Sequence, residues 1–293
     1  MSELIIGADP EFFVAEDGHI LPAVDMVAGD KYNPLACLRG AMQVDGLALE
    51  FNIEPAKTAQ EFNRNILTVK MLTLAKARAT TGKKLRISRK IQHNFTASVF
   101  KELPEESKRL GCAASYTLQG GVSNIPRHHQ TSPVRVVGGH IHLGWSENED
   151  ITRGSLHYRD CARLATVLDV LVQARLFMHL KENMNNTDYA QFISDEFTRK
   201  NRYGRWGEFR PKSYGMEYRS LSNFWIHSKE LRTLVFEYTQ EAYNWTINNP
   251  AMAQKMVTLC LVGELSYQMQ LSTGQTRVED NGIFKLIKKT LEV

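Results

Sequence analysis

Polar side chains spaced two residues apart recur at four places in the sequence: Asp9 and Glu11, Glu50 with Asn52 and Glu54, His140 and His142, and Glu217 and Arg219. Side chains at positions i and i+2 of a β-strand point to the same face of a sheet. The intervening residues are apolar or aromatic, apart from Pro10, so they would face a core. Carboxylates and imidazoles at a strand's inner face are costly unless they are paired or bind a metal. Four such strands predict one concave site, and an excess of oxygen ligands over imidazoles favours Mg²⁺ or Mn²⁺ over zinc.

A cationic segment, residues 202–212, supplies side chains that suit anions. It contains Arg205, Arg210 and Lys212, with glycines at 204 and 207. Glycines permit a close backbone approach, and guanidinium groups match polyphosphate or carboxylate. Phosphoryl transfer from ATP needs divalent metals and several arginines, because that chemistry is mostly positioning and charge neutralisation. The sequence has no Walker P-loop and no GxGxxG motif, so metals and arginines would hold the nucleotide.

Each of these patterns also has an ordinary structural interpretation. A carboxylate pair such as Asp9 and Glu11 often marks a solvated strand face, and Pro10 favours an edge or the end of a strand. Glu217 and Arg219 alone could be an ion pair of little energetic value. The basic run of residues 83–90 is typical of a solvated strand face, although it could also contact an acidic ligand. The agreement of four strands, and above all the His-x-His pair after Gly138-Gly139, favours the functional interpretation.

Composition indicates a folded protein. The 293 residues carry 36 Lys and Arg against 32 Asp and Glu, a net charge of +4, and 43% are hydrophobic. Such a chain is too apolar and too weakly charged for intrinsic disorder, and nucleic acid is not indicated as its main partner. The four cysteines lie far apart and form no CxxC pair. We therefore expect each of them to be a small apolar side chain in the core. No signal peptide and no apolar stretch of about 20 residues is found, so we expect a cytoplasmic protein without a membrane partner.

The predicted elements belong to a mixed α and β fold in a single domain spanning residues 1–293. Strands are predicted over residues 4–16, 19–26, 42–53, 85–91, 133–145 and 216–221. Helices are predicted from the Thr58 cap to Gly82, over residues 158–181, from the Ser228 cap to Asn249, and over residues 252–270 and 282–291. The part from about residue 228 is therefore helical. Because strands and helices do not alternate regularly, an antiparallel or mixed sheet covered by helices is favoured.

Four motifs together resemble a known family. Gly-Ala-Asp-Pro-Glu-Phe-Phe at 7–13, Asp-Gly-x-x-x-Glu-x-Asn at 45–52, Gly-Gly-His-Ile-His-Leu-Gly at 138–144, and Phe-Arg-Pro-Lys-x-Tyr-Gly-x-Glu-Tyr-Arg at 209–219 occur in this order. They are similar to motifs of the phage-type carboxylate–amine ligases, or amidoligases, relatives of glutamine synthetase and glutamate–cysteine ligase. The resemblance implies an α+β fold with a curved, mostly antiparallel sheet covered by helices. It also implies a host-cytoplasmic location if the chain is of phage origin.

The resemblance further implies ATP-dependent amide synthesis with small-molecule or peptide carboxylate and amine substrates. Its metal ligands would be Asp9, Glu11, Glu50, His140 and Glu217. The groups that neutralise phosphates would be His142, Arg205, Arg210, Lys212 and Arg219, with Arg210 and Arg219 acting in catalysis. Glu54 or Asp45 would take the proton of the amine. Ala113-Ala114-Ser115 replaces an Asp-containing turn of the phage relatives, and nothing in the last 70 or so residues matches a motif.

Two other classes of function remain open on the sequence. His140, His142 and Glu217 could form a site of two histidines and one carboxylate, as in iron oxygenases or metal-dependent hydrolases on a β scaffold. That interpretation leaves the other carboxylates and the arginine-rich segment without a role. Alternatively, the acidic hollow could bind a cationic ligand without catalysis, independently of ATP and metal. The substrates, the number of metals and the oligomeric state do not follow from the residues.

Overall fold

A nine-stranded antiparallel sheet is the centre of the computed structural model, which describes residues 3–108, 115–118, 121–123 and 132–261. The strands are β1 (Ile5–Phe12), β2 (Val14–Glu16), β3 (His19–Leu21), β4 (Leu35–Cys37), β5 (Gly40–Asp45), β6 (Ala48–Ile53), β7 (Arg86–Ile87), β8 (Gln92–Asn94), β9 (Ser115–Tyr116), β10 (Val122–Ser123), β11 (Val134–Val136), β12 (Gly139–Gly144), β13 (Phe209–Lys212) and β14 (Gly215–Tyr218). The order in the large sheet is β10-β9-β13-β14-β12-β1-β6-β5-β4. Two small sheets, β3-β2-β7 and β11-β8, flank it. The predicted α+β class with mostly antiparallel strands is confirmed.

Eight α-helices are seen in the described ranges. They are α1 (Ala59–Thr81), α2 (Ala97–Glu102), α3 (Glu105–Lys108), α4 (Leu156–Leu168), α5 (Arg175–Asn183), α6 (Asn186–Lys200), α7 (Lys229–Asn248) and α8 (Pro250–Leu261). A π-helical turn, Asp169–Ala174, joins α4 to α5, and a 3-10 turn, Asn223–His227, precedes α7. Among the described residues, none of the helices has the length and apolar character that crossing a bilayer requires.

Alternation along the central strands separates an apolar face from a polar face. Leu49, Phe51 and Ile53 of β6 are buried in the core, and Ile141 and Leu143 of β12 join them. Helices α1, α4 and α7 contribute to the same core, in which α1 contacts both β6 and α7. The side chains between these apolar residues must point to the other face of the sheet. The helices therefore cover one face and leave the opposite face for polar chemistry.

The predicted helix signals at α1 and α7 are confirmed. Thr58 Oγ1 accepts a hydrogen bond from the Glu61 amide at 3.2 Å, and Gly82 ends α1 in the left-handed region at φ 68°. Ser228 Oγ accepts from the Leu231 amide at 2.9 Å and begins α7. These contacts satisfy backbone groups that have no partner inside the helix. The Asp17-Gly18 turn between β2 and β3 is also present.

Several predicted strand boundaries were wrong. Residues 42–53 form two strands rather than one, because Gly46 at φ 56° begins a two-residue turn between β5 and β6. Residues 133–145 divide between β11, in a small sheet, and β12, in the large sheet. The strand predicted at 85–91 shrinks to Arg86–Ile87, and the one at 19–26 shrinks to His19–Leu21. Phe209–Lys212, predicted only as part of a cationic segment, is strand β13.

Some predictions fall outside the described residues. These are the helix over residues 282–291, the part of the predicted 252–270 helix beyond Leu261, and the residues Cys112, Ala113 and Ala114. Of the other cysteines, Cys161 is buried, whereas Cys37 and Cys260 are half-buried, and all three are free thiols.

Candidate active site

The four polar pairs lie on four consecutive strands of the large sheet, in the order β14-β12-β1-β6. Across the ladders, Glu217 stands opposite His142, and His140 stands opposite Asp9. Glu11 stands opposite Glu50 on the far side of β1. This register aligns side chains of equal parity on the polar face of the sheet. The structure thus brings together the strands that the sequence analysis predicted to meet.

Asp9, His142 and Glu217 form the tightest group of ligand atoms. Each offers one atom, and these atoms all lie within 4.8 Å of one another. Asp9 Oδ1 is 3.1 Å from His142 Nε2 and 3.2 Å from Nδ1 of His140. All three atoms are buried, and none has a partner with hydrogen-bond geometry among the described residues. Asp9 Oδ1, His142 Nε2 and His140 Nδ1 thus converge without hydrogen bonds among the described residues, an arrangement that suits a divalent cation.

The charges within this group are strongly shifted by their surroundings. Burial alone would raise the pKa of Asp9, but the charges and close contacts of His142 and His140 together outweigh burial and hold that pKa well below its usual value. Burial opposes protonation of His142, yet the Asp9 carboxylate raises its pKa overall. Burial and the neighbouring Arg219 charge instead lower the pKa of His140 to about 4. His140 is therefore neutral at pH 7, which is the form that ligates metals.

Three cations surround Glu217, which is 1% exposed. Arg219 Nη1 contacts its Oε1 atom, while Arg210 Nη1 and Lys212 Nζ lie 2.8 and 3.2 Å from Oε2. Burial would raise the pKa of Glu217, but the charge of Arg219 leads the opposing effects and lowers it to about 2. Arg210 and Lys212 keep 21% and 30% of their side chains exposed, so they also face solvent. The arrangement gathers positive charge beside the candidate metal group, as phosphate binding requires.

Glu11, Glu50 and Asp45 form a second, acidic half of the site. The Gly138 amide donates to Glu11 Oε2 at 2.8 Å, and Gln43 Nε2 donates to Glu50 Oε2 at 2.6 Å. Burial and the charge of Asp45 raise the pKa of Glu11 to about 8. Burial and the charge of Asp9 raise the pKa of Glu50 well above its usual value. Buried carboxyls that repel one another favour a neutralising cation.

An open cavity of about 560 Å³ lies over this face. Its walls include Asp9, His142 and Glu50 together with Lys31, Gln43, Asn52 and Tyr214. The Tyr214 hydroxyl also contacts His142 Nδ1, which orients the imidazole. The volume lies in the range of small-molecule sites. The cavity therefore gives a ligand access to the candidate metal group and to part of the acidic half.

Several supporting residues were not predicted as site residues. Tyr203 is one of them: its hydroxyl contacts His140 Nε2 and accepts a hydrogen bond from Arg219 Nη2 at 3.0 Å. Arg219 Nε also donates to Ser115 Oγ at 2.8 Å. The only signal for Tyr203 in the sequence was its place in the glycine- and arginine-rich segment, which does not indicate a contact with His140. Arg199, wholly buried, donates to the carbonyls of Val137, Ser220 and Leu221, and it thereby holds the ends of β12 and β14 together.

Two predicted site residues are not brought to the cluster. Glu54 follows β6, is exposed and does not line the cavity. Arg205 is also exposed, and its contact with Ser220 is through the backbone: the Arg205 carbonyl accepts a hydrogen bond from Ser220 Oγ at 2.6 Å. The strand parity that suggested Glu54 applies only while the strand continues, and β6 ends at Ile53. Pro55, which directly follows Glu54, is the sequence signal for that end.

The two histidines have different surroundings. His142, predicted as a phosphate-binding group, belongs to the group of ligand atoms with Asp9 and Glu217. His140, predicted as a metal ligand, turns Nδ1 toward Asp9 while its Nε2 contacts the Tyr203 hydroxyl.

No family model matches the chain, and no curated protein matches it either. The function must therefore follow from the geometry and chemistry of the site.

Proposed function

We propose that this protein is an ATP-dependent carboxylate–amine ligase that forms an amide bond through an acyl phosphate. The observation that carries the proposal is the convergence of Asp9, His142 and Glu217 beside Arg210, Lys212 and Arg219 on one face of an antiparallel sheet. Metal-binding carboxylates next to several cations are the combination that phosphoryl transfer needs. The four motifs in amidoligase order support membership of the glutamine synthetase superfamily and the corresponding curved sheet.

Asp9, His142 and Glu217 would hold one divalent cation, and Glu11 with Glu50 would hold another. A bound Mg²⁺ or Mn²⁺ would supply charge stabilisation at the transferring phosphoryl group. His140 would support the first site through Asp9. Asp9 Oδ1 and His142 Nε2, which converge without hydrogen bonds among the described residues, support the first site. The raised pKa values of Glu11 and Glu50 support the second.

The chain's own cations would bind the phosphates of ATP. In the first step, a substrate carboxylate oxygen attacks the γ-phosphorus, the bond to ADP breaks, and an acyl phosphate forms. Arg210 and Arg219 are positioned to neutralise the charge on the transferred group, with Lys212 as a further point charge. Arginines that act in this way accelerate phosphoryl transfer by about 10³–10⁵ in other enzymes.

In the second step, an amine nitrogen attacks the acyl carbon, inorganic phosphate leaves, and the amine loses a proton. Asp45 is the better placed of the two predicted acceptors, because it lies at the end of β5 close enough for its charge to act on Glu11 and Glu50. Neither residue lines the cavity, but Glu54 is exposed, whereas Asp45 is half-buried. We therefore assign proton removal to Asp45.

Release of ADP tests the proposal. The full chain is mixed with Mg²⁺ or Mn²⁺, ATP and panels of carboxylate and amine compounds, and ADP formation is followed with amide products identified by mass spectrometry. We expect ADP only when both partners are present, and loss of at least 99% of the rate in Glu217→Gln and in Arg210→Gln. Glu237→Gln, an exposed change on α7, serves as the matched control.

A second candidate function rests on one geometric fact. Asp9 Oδ1 lies at 3.1 and 3.2 Å from nitrogen atoms of both His142 and His140, which is a set of two histidines and one carboxylate. Such a set can hold iron in oxygenases or a metal in hydrolases. Tightly held iron with oxygen consumption, and no ADP release from any panel, would replace the ligase proposal by this one. ADP release with loosely held Mg²⁺ would exclude the iron enzyme.

A further inference from the structure

A second cavity, of about 840 Å³, lies between helix α6 and the segment that contains β8. The helix lines it with residues 188, 191, 192, 195 and 198, whose spacing places them on one face of α6. From Asp188 to Thr198 this face extends for roughly 15 Å, at 1.5 Å per residue. The two cavities share no lining residue. This second cavity is therefore separate from the candidate active site.

Three cations line the second cavity: Arg89, Lys90 and Arg202. Arg89 and Lys90 belong to the basic run at 83–90, for which the proposed ligase activity has no role. Within residues 3–108, 115–118, 121–123 and 132–261, no carboxylate lies within 4.0 Å of these three side-chain charges. The cavity thus presents positive charge that the described fold does not neutralise by ion pairing.

The two carboxylates in the same walls are used by the fold itself. Asp195 Oδ1 accepts hydrogen bonds from Gln92 Nε2 at 2.8 Å and from Gln191 Nε2 at 2.9 Å. Asp188 exchanges hydrogen bonds with Asn185 at the start of α6, through its amide at 2.9 Å and its Oδ2 at 2.8 Å. The acidic groups hold the helix and the strand in place, whereas the cations remain available. The lining carries three cationic side chains against two carboxylates, an excess that favours an anionic ligand.

The apolar part of the lining indicates that the ligand also has a carbon skeleton. Ile91, Phe192 and Phe224 line the cavity, and Phe192 and Phe224 pack edge to face with ring centroids 5.2 Å apart. Small-molecule sites combine such apolar walls with a few polar groups that fix orientation. Guanidinium groups bind carboxylate and phosphate oxygens with paired hydrogen bonds.

We propose that the second cavity binds a small organic molecule with at least two oxyanion groups, carboxylate or phosphate, at a site independent of the metal cluster. Arg202 contacts one oxyanion, and Arg89 with Lys90 contacts another. The apolar side chains contact the carbon atoms between them. The site does not require ATP, a metal or catalytic activity, so it can be tested independently of the ligase proposal.

Isothermal titration of the full chain, freed of metal on a chelating resin, tests the proposal, with tricarballylate as the carboxylate probe and a sugar bisphosphate as the phosphate probe. We expect saturable binding of at least one probe. Arg89→Gln and Arg202→Gln should each weaken binding about tenfold, as expected for loss of a charge-assisted hydrogen bond. Arg86→Gln is the matched control, because Arg86 belongs to the same basic run, is exposed and does not line the cavity. It should change affinity less than twofold.

A second measurement uses the unmodified protein. Lys90 is exposed and should react with an acetylating reagent, and the bound probe should slow that reaction relative to Lys84, which lies outside the cavity. Binding of tricarballylate alone assigns a carboxylate ligand, and binding of the bisphosphate alone assigns a phosphate ligand. Absence of saturable binding by either probe overturns the proposal. Equal losses in Arg86→Gln and Arg89→Gln, or equal protection of Lys84 and Lys90, overturn it as well.

Discussion

At the scale of single residues, Glu217 belongs both to the candidate metal group and to the cluster of cations in the candidate site. It contributes a ligand atom to the group with Asp9 and His142, and it is also the carboxylate to which Arg210 and Arg219 bind. A carboxylate this deeply buried is tolerated only because cations compensate for its lost hydration. Its contribution to stability can therefore be measured separately from its contribution to activity.

Glu217→Gln should lower the free energy of unfolding by about 3 kcal/mol, because removing one partner of a buried ion pair leaves the other charge uncompensated. Urea unfolding gives this difference. Glu217→Gln combined with Arg219→Gln should cost less than the sum of the two single changes, since the double variant removes both charges. Strict additivity would contradict an energetically important pair.

Asp169, which lies outside the candidate site, should make the free energy of unfolding depend on pH. It is wholly buried, and its Oδ1 accepts a hydrogen bond from the Tyr218 hydroxyl at 2.6 Å. Burial raises its pKa from 3.8 to about 7. Between these values the unfolded carboxyl is ionised while the folded one keeps its proton, so stability falls as pH rises through this window. The shift of about three pH units corresponds to roughly 4 kcal/mol.

Asp169→Asn removes this titration. Its free energy of unfolding relative to the unmodified protein should therefore rise as pH increases from about 4 to 7, as measured by urea unfolding at several pH values. Asp160→Asn is the control, because Asp160 lies on α4 with 58% of its side chain exposed. A constant difference between Asp169→Asn and the unmodified protein across this range would refute the assignment.

At the scale of elements, the start of β12 is the most constrained segment near the site. The carbonyl of Gly139 accepts a hydrogen bond from Trp225 Nε1 at 3.1 Å, and Trp225 in turn stacks on Phe62 of α1. A Cβ atom at Gly138 would collide with the His140 ring. The two glycines before the His-x-His pair therefore allow the imidazole and the 3-10 turn to approach the backbone closely.

Gly138→Ala should displace the His140 ring or the backbone, at a cost of about 2 kcal/mol in unfolding free energy. Gly7→Ala is the matched control on the neighbouring strand, since its Cβ would meet His142 Cβ at an ordinary 3.6 Å. It should cost less than about 1 kcal/mol. Thermal unfolding and histidine NMR resonances measure the two effects. Equal destabilisation by both changes would contradict the steric role of Gly138.

The period of two along a strand made it possible to predict which residues share the polar face. The contacts of these residues with other parts of the chain could not be predicted in this way. Asp9, His140, His142 and Glu217 were placed on one face because parity depends only on sequence. Tyr203 reaches His140 from a loop, and that approach depends on tertiary packing. Strand β13 was missed because Pro211 and three charged neighbours are typical of a loop, although Phe209 and Pro211 alternate as a buried face.

At the scale of the whole molecule, one large core holds the sheet and helices together. It contains residues from Ile6 near the start to Met256 in α8, so the helical part after residue 228 packs on the same core as the central strands. A ligand that binds only the folded state stabilises the entire unit.

Manganese should therefore raise the melting temperature of the protein. At a concentration of about 100 times the dissociation constant, mass action contributes about 2.7 kcal/mol, which corresponds to a rise of several degrees for a chain of this size. Asp9→Asn should abolish the rise, and Asp160→Asn should retain it. A rise of equal size in Asp9→Asn would place the manganese elsewhere in the protein.

The three cations around Glu217 have a consequence for how ligands influence one another. Both oxygens of Glu217 are occupied by Arg219, Arg210 and Lys212, so Glu217 can serve as a metal ligand only when one of these partners moves away. Under the proposed function, a nucleotide phosphate offers the departing guanidinium a replacement anion. Thermodynamic linkage then requires cooperativity: metal and nucleotide must each increase the affinity for the other by the same factor.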